Sequence, residues 1–372
     1  MTLRGNSAVL DAPHGTFAIE ERDVPEPRPG GLLLRQELCG VCATDAYVHR
    51  GHLPGTVFPL VLGHETIGIV ERLGPGTTED ATGRPLAVGD RVSVAPGVSC
   101  GHCVFCAVHR QPTLCLNRRG YGFRPRRDEP PHFQGGFAQY VDVAAGATVL
   151  TMAVDATAAV TLEPLTIGIH AATRANIPLG ATVVIQGSGA IGILALAAAR
   201  EAGALRTIVV GGPATRLALA REFGADVTID LAAVPDPAER TRLVRAETPG
   251  GHGADVAIEC AGTPAAISEG IDMLRRGGVY VEAGHYTDHG DIPLNPFRHL
   301  VNKHITLVGV WSAGIPHFVA GRALIESGRY PFADLVSHVL PLERVADGVG
   351  AIGGSYLLDG TEIRKVAIAA NG

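Results

Sequence analysis

The sequence predicts an α/β protein in which a doubly wound parallel sheet is joined to a second, β-rich domain. Three observations carry that prediction. At roughly 150 residues per domain, 372 residues leave room for two cores. From 164 to 311, apolar strand-like runs alternate with helical periods, whereas residues 1–163 contain short β-like runs broken by Gly and Pro. A glycine-rich turn also joins the first apolar run of the alternating region to the helix after it.

In chain order, the β-rich part reads as strands over 31–38, 60–73 and 91–96. The alternating part offers six buried-looking strands, at 181–186, 206–210, 226–230, 255–259, 279–283 and 305–310. Helical patterns at 190–202 and 214–223 lie between them, and strands joined in this way suit a doubly wound sheet. Beyond 311 the texture is mixed again, with a helical segment at 318–327 and a final strand at 362–369. This tail is expected to rejoin the first domain, giving one domain of 1–163 with 312–372 and another of 164–311.

Lys and Arg number 31 against 37 Asp and Glu, a net charge of −6. That balance offers no global attraction to a phosphate backbone or an anionic membrane, so neither nucleic acid nor membrane is expected as a partner. No uncharged run approaches the ~18 apolar residues of a membrane helix, and the expected location is the cytoplasm. Six of the seven cysteines fall in two tight groups, not at the wide spacings of a disulfide framework. Reduced thiolates holding metal are the better reading.

The glycine turn is Gly187-Ser-Gly189-Ala190-Ile191-Gly192. With a strand before it, a helix after it and a second strand about 20 residues on, it reads as a dinucleotide site. Gly187 permits the tight turn, Gly189 admits a pyrophosphate close to the backbone, and Gly192 lets helix and strand pack. Where an acidic residue would accept from the adenosine ribose, the chain has Val210-Gly211-Gly212-Pro213. Arg216 follows closely enough to pair with a 2′-phosphate, or else it is an exposed helix residue; the pattern admits NAD or NADP.

Cys100, Cys103, Cys106 and Cys115, in a lobe near 97–118, supply four soft ligands within sixteen residues. Four thiolates close a tetrahedral zinc shell, the form of a structural site. Cys42, His64, Glu65 and Glu163 are dispersed, and each alone is a weak signal.

Taken together, CGVCATD at 39–45, GHETIGIVERLG at 63–74, the four-cysteine lobe, GGFAQY at 135–140, LEPLTIGIHAATRA at 162–175, GSGAIG at 187–192 and RLALAREFGAD at 216–226 make a specific set. In their order and spacing the chain resembles the zinc-dependent medium-chain dehydrogenase/reductase family, in its polyol and threonine dehydrogenase-like branch. The resemblance implies a GroES-like catalytic domain interrupted by a Rossmann domain, with the active site between them. It makes Cys42 and His64 ligands of a catalytic zinc, Glu65 an additional or exchanging ligand, and Glu163 the third ligand or the partner of the zinc-bound water. The four-cysteine lobe holds the structural zinc. Asp45 orients His64 from behind, Cys39 is buried and is not a ligand, and Arg364 touches the cofactor pyrophosphate.

The activity so implied is hydride transfer between a nicotinamide cofactor and a secondary alcohol or polyol, with a primary alcohol or aldehyde as the alternative substrate. A zinc-ribbon nucleic-acid module is the competing class, and the net charge and the complete nucleotide turn weigh against it. Thr44 is the first proton relay, its hydroxyl both accepting and donating. Many relatives place a His five residues after the zinc-binding Cys; here Tyr47 occupies that place and His49 lies two further on, so either His49 substitutes or the proton leaves through water. Trp311 and Tyr121 are candidates for the substrate pocket or for the core. The basic stretch Arg118, Arg119, Arg124, Arg126 and Arg127 would grip an anionic substrate, or form a solvated loop or an oligomer contact. Resemblance also implies a homodimer or homotetramer.

Overall fold

The computed structural model describes residues 2–124 and 130–371. The chain forms two compact units, one of residues 1–163 with 314–372, the other of 164–313.

In the first unit the organising strand is Leu32–Val41, buried along most of its length. It pairs antiparallel with Glu65–Leu73, Tyr140–Val143 and the C-terminal Val366–Ala369. Arg91–Val94 and Val149–Thr151 extend the sheet beyond Glu65–Leu73, and His338–Pro341 extends it beyond Val366–Ala369. Gln36 pins the last strand. Its buried amide donates to the Ile368 carbonyl at 2.7 Å and accepts from the Ala370 N–H at 2.9 Å, satisfying polar groups that would otherwise be costly to bury.

The run expected as one strand over 60–73 is broken. Leu60–Val61 belongs to a separate small sheet with Arg4–Leu10 and Phe17–Asp23, and the longer strand begins only at Glu65. Between them Gly63 adopts φ +90°, a conformation that glycine reaches without strain. The carbonyls of Leu62 and Gly63 turn aside to accept from Phe137 and Gly136. Apolar content alone could not reveal a break imposed by a segment more than seventy residues away. The expected tail helix starts earlier, as Ile315–Glu326, because Gly314 and Pro316 open it.

The second unit is the predicted doubly wound sheet. Its strands lie side by side in the order Val227–Asp230, Arg206–Gly211, Thr182–Gln186, Ala254–Glu259, Leu274–Glu282 and Thr306–Gly309, all parallel. Strand order reverses between Thr182–Gln186 and Ala254–Glu259, which opens a crevice at their carboxyl ends. Val184, Ile208, Ala257 and Tyr280 pack into a core cluster, which is why these runs read as continuously apolar. The fifth strand is longer than the expected 279–283, since its register against Ala254–Glu259 shifts. No helix among the described residues is long and apolar enough to cross a membrane.

Candidate active site

Strand Leu32–Val41 delivers Cys42 to the start of the helix Ala43–His49. The Cys42 N–H donates to Asp45 Oδ2 at 2.8 Å, so the helix cap also fixes the thiol. The other oxygen of Asp45, a buried residue, accepts from the Gly63 N–H at 3.3 Å and lies 3.5 Å from His64 Nδ1. One carboxylate therefore positions both Cys42 and the break that presents His64. Burial alone would lower the basicity of His64, but Asp45 and the Cys42 thiol outweigh it and hold the imidazole well above its ordinary pKa.

Donor atoms of Cys42, His64 and Glu65 lie within 4.8 Å of one another. Glu65 is buried and forms an ion pair with buried Lys365, whose charge is favoured by Glu65 against the cost of burial. Gly40 makes the room for this: a Cβ there would stand 1.8 Å from Glu65 Oε2. Thiolate, imidazole and carboxylate converging in this way are zinc donors, and three of them leave a position for substrate, so the residues fit the metal expected here. Glu163 does not join the triplet but senses it. Burial and the Glu65 carboxylate push its pKa up to about 7, with His64, Lys365 and Arg118 opposing. Thr44 Oγ1 lies 3.6 Å from Cys42 Sγ.

Sequence reasoning missed three participants. Gly40 and Lys365 carried no signal, because their roles depend on the folded position of Glu65. Phe123 sets its ring against His64, with centroids 5.7 Å apart. Cys39 is fully buried against Thr66, its thiol pushed up to about 12 by burial. Tyr121 packs in the core cluster with Leu34 and Val141, and its hydroxyl accepts from the Ala144 N–H at 2.7 Å. His49 Nε2 stands 3.0 Å from the Gly15 carbonyl and the ring stacks on Phe17, while burial raises the Tyr47 phenol above its ordinary range.

The four lobe cysteines gather, with donor atoms within 4.8 Å of one another and no disulfide. Backbone N–H groups of Cys100 and Cys103 donate to Cys115 Sγ and Cys100 Sγ at 3.3 and 3.4 Å. Such donors favour thiolates; with the His102 N–H foremost they lower the Cys100 pKa to about 6. These residues too fit a zinc ion. Arg118 packs on Gly97 and donates to the Thr113 carbonyl at 3.3 Å, tying the lobe together. Arg119 and Arg124 are exposed, and Arg126 and Arg127 lie outside the described residues.

In the second unit Gly187 has φ +98°, and a Cβ on Gly192 would meet the Gly187 carbonyl at 1.9 Å. A Cβ on Gly189 would meet nothing within 4 Å, so the helix Ala190–Glu201 opens toward free space. Ala190 and Ile191 form its first turn. Ser188 ties this turn to the second strand by hydrogen bonds of 2.9 Å with the Gly212 N–H and carbonyl, a link the sequence did not reveal. Arg216 is not the exposed residue of the blander reading: it is buried at the start of the helix Ala214–Glu222. Asp230, from the third strand, approaches Gly212 instead, 3.6 Å from where a Cβ would stand. Trp311 is partly exposed and stacks on Tyr286, with centroids 4.7 Å apart. Arg364 donates its backbone N–H to Ser337 Oγ at 3.0 Å.

Residues 28–153 match the alcohol dehydrogenase GroES-like domain family, and residues 190–326 match the zinc-binding dehydrogenase family. A sorbitol dehydrogenase of Halalkalibacterium halodurans is 33% identical over 341 residues, covering 89% of this chain and 91% of its own. An erythritol/L-threitol dehydrogenase of Mycolicibacterium smegmatis is 32% identical over 363 residues, covering 93% of each. Among solved structures, an alcohol dehydrogenase of Thermotoga maritima superposes with a TM-score of 0.90 at 30% identity, covering 99% of both chains.

Proposed function

The chain belongs to the zinc-dependent alcohol dehydrogenase family, in its polyol dehydrogenase branch, and from that premise we propose that it interconverts a secondary alcohol or polyol hydroxyl with a ketone. The observation that carries this reading is the convergence of Cys42, His64 and Glu65 beside Thr44 in the GroES-like unit. These three residues would hold the catalytic zinc, and Cys100, Cys103, Cys106 and Cys115 would hold a structural one. When bound, the catalytic zinc supplies Lewis acidity that eases loss of the substrate hydroxyl proton near neutral pH. Gly187, Gly189, Ala190, Ile191 and Gly192 would seat the nicotinamide cofactor, whose chemistry would be to supply or accept the hydride.

The residues of the chain do the rest. Asp45 orients His64, and Lys365 holds Glu65 in place. Thr44 takes the substrate proton. Because the Gly15 carbonyl engages His49, and the Tyr47 phenol is a poor relay at neutral pH, the proton leaves Thr44 through water. Glu163, titrating near neutrality, holds a proton beside the site. Phe123 supplies an apolar wall for the carbon skeleton. Gly211, Gly212 and Arg216 border the adenosine end, where the choice between NAD and NADP is made.

The proposed assembly is a homodimer or homotetramer, for the terminal strand Thr306–Gly309 leaves an open edge with Leu307 exposed. A cytoplasmic setting keeps the cysteines reduced. The test is a screen of zinc-loaded protein against secondary alcohols, polyols and primary alcohols, with NAD and NADP side by side, repeated after chelation. Oxidation of secondary alcohols that chelation abolishes is expected; oxidation that survives complete metal removal refutes the reading, and a preference for primary alcohols moves it to the aldehyde reductase alternative.

A further inference from the structure

The carboxyl ends of the fourth and fifth strands of the nucleotide-binding unit bring together three side chains to which the dehydrogenase reading gives no task. Glu259, wholly buried, ends Ala254–Glu259. Its Oε1 accepts from the N–H groups of Ala261 and Gly262 at 2.7 and 2.8 Å, while its Oε2 is buried without a hydrogen-bond partner. Glu282 ends Leu274–Glu282 directly opposite Glu259 in the register. Its Oε1 accepts from the Gly284 and His285 N–H groups at 3.0 and 3.1 Å and stands 3.0 Å from His285 Nδ1. That same Nδ1 is 3.7 Å from Glu259 Oε2. Glu282 Oε2 and His285 Nε2 are also buried without hydrogen-bond partners. Gly284 keeps the space open, since a Cβ there would lie 2.1 Å from Glu259 Oε2.

Two carboxylates side by side, one stripped of water, repel each other and call for a positive charge between them. Donor atoms grouped within 4.8 Å suit ligands arranged round a single small ion at ~2.1 Å, and two negative charges match a divalent one. We propose that Glu259, Glu282 and His285 form a binding site for a first-row divalent cation of the manganese type, in a shell of two carboxylates and one imidazole. The ion would clamp the turn at 260–262 to the turn at 283–285. The first of these turns abuts the nucleotide turn, for the Cys260 N–H donates to the Gln186 carbonyl at 2.8 Å, and the Ala261 nitrogen would be 2.9 Å from a Cβ on Gly187. The cation therefore stiffens one rim of the crevice that receives the cofactor.

Ligand softness makes the site testable beside the zinc sites. Thiolate-bearing sites select zinc, whereas carboxylate and imidazole accept manganese(II). The zinc-loaded full-length protein is titrated with manganese(II), counting metal per chain after dialysis and following free manganese by its electron paramagnetic resonance signal. About one manganese per chain is expected in addition to the zinc, with the apparent Kd raised at least about tenfold in Glu282→Gln and in His285→Ala while zinc content stays unchanged. Manganese should also raise the thermal midpoint of the unmodified protein, a readout that survives even if a variant folds poorly. Absence of manganese uptake by the unmodified protein at about 1 mM overturns the site, as does uptake that both variants retain in full.

Discussion

Thr44 and Gly40 act at the same centre through different physics, and single substitutions separate them. Thr44→Ala removes the hydroxyl proposed to relay the proton but leaves Cys42, His64 and Glu65 in place, so turnover should fall by ~10² or more with zinc content intact. Unchanged turnover, read with metal analysis on the same sample, would take Thr44 out of the mechanism. Gly40→Ala adds one methyl group 1.8 Å from a buried carboxylate oxygen already paired with Lys365. Glu65 must move, and both activity and zinc retention should drop together. The same reasoning explains why half of this centre was readable beforehand. Cys42, His64 and Asp45, each a weak signal alone, sit in the stretches 39–45 and 63–74 that carry the family resemblance. Gly40, Phe123 and Lys365 are ordinary residues that acquire a role only once strands distant in sequence bring them to Glu65 and His64.

At the scale of an element, the turn from Thr182–Gln186 into Ala190–Glu201 shows where sequence and structure coincide. Its glycines are local signals with local causes: a Cβ on Gly192 would overlap the Gly187 carbonyl, while beside Gly189 there is open space where the proposed cofactor would approach the helix start. These causes make opposite predictions. Gly192→Ala forces overlap with the Gly187 carbonyl and should cost about 1–3 kcal/mol, lowering the thermal midpoint by roughly 2–8 °C. Gly189→Ala meets no neighbouring atom and should leave the midpoint nearly unchanged while raising the KM for the nicotinamide cofactor about tenfold or more. Thermal melts and cofactor titrations of the two variants check both arms. The broken strand at 62–64 is the contrary case. Nothing in Leu60-Val61-Leu62-Gly63-His64 announces that its first two residues join another sheet, because the break is set by hydrogen bonds to Gly136 and Phe137.

For the whole molecule, the closure of the first unit depends on chain segments hundreds of residues apart, and one ion pair makes that dependence measurable. Arg322, on the helix Ile315–Glu326, reaches buried Asp80 at 2.9 Å, and the same carboxylate takes hydrogen bonds from Thr82 and Thr151. Burial would raise the Asp80 pKa, but these donors outweigh it and hold the carboxyl well below its ordinary range. The sign of the linkage follows. A carboxyl whose folded pKa is depressed contributes stability that is fully present above its unfolded pKa of ~3.9 and is lost as pH falls toward the folded value. Asp80→Asn leaves Arg322 buried without its counter-charge and should destabilise the protein by about 3 kcal/mol at pH 7. The gap between variant and unmodified protein should then narrow steadily below pH 4, because there the unfolded chain of the unmodified protein takes up a proton that folded Asp80 resists, whereas the asparagine variant has no such proton to bind. Denaturant melts of both proteins from pH 7 down to about pH 2 measure it. A gap of constant size across that range would mean that the pair contributes through packing alone, and that the tail is held to the first unit by the Gln36 contacts and the strand Val366–Ala369 without help from charge.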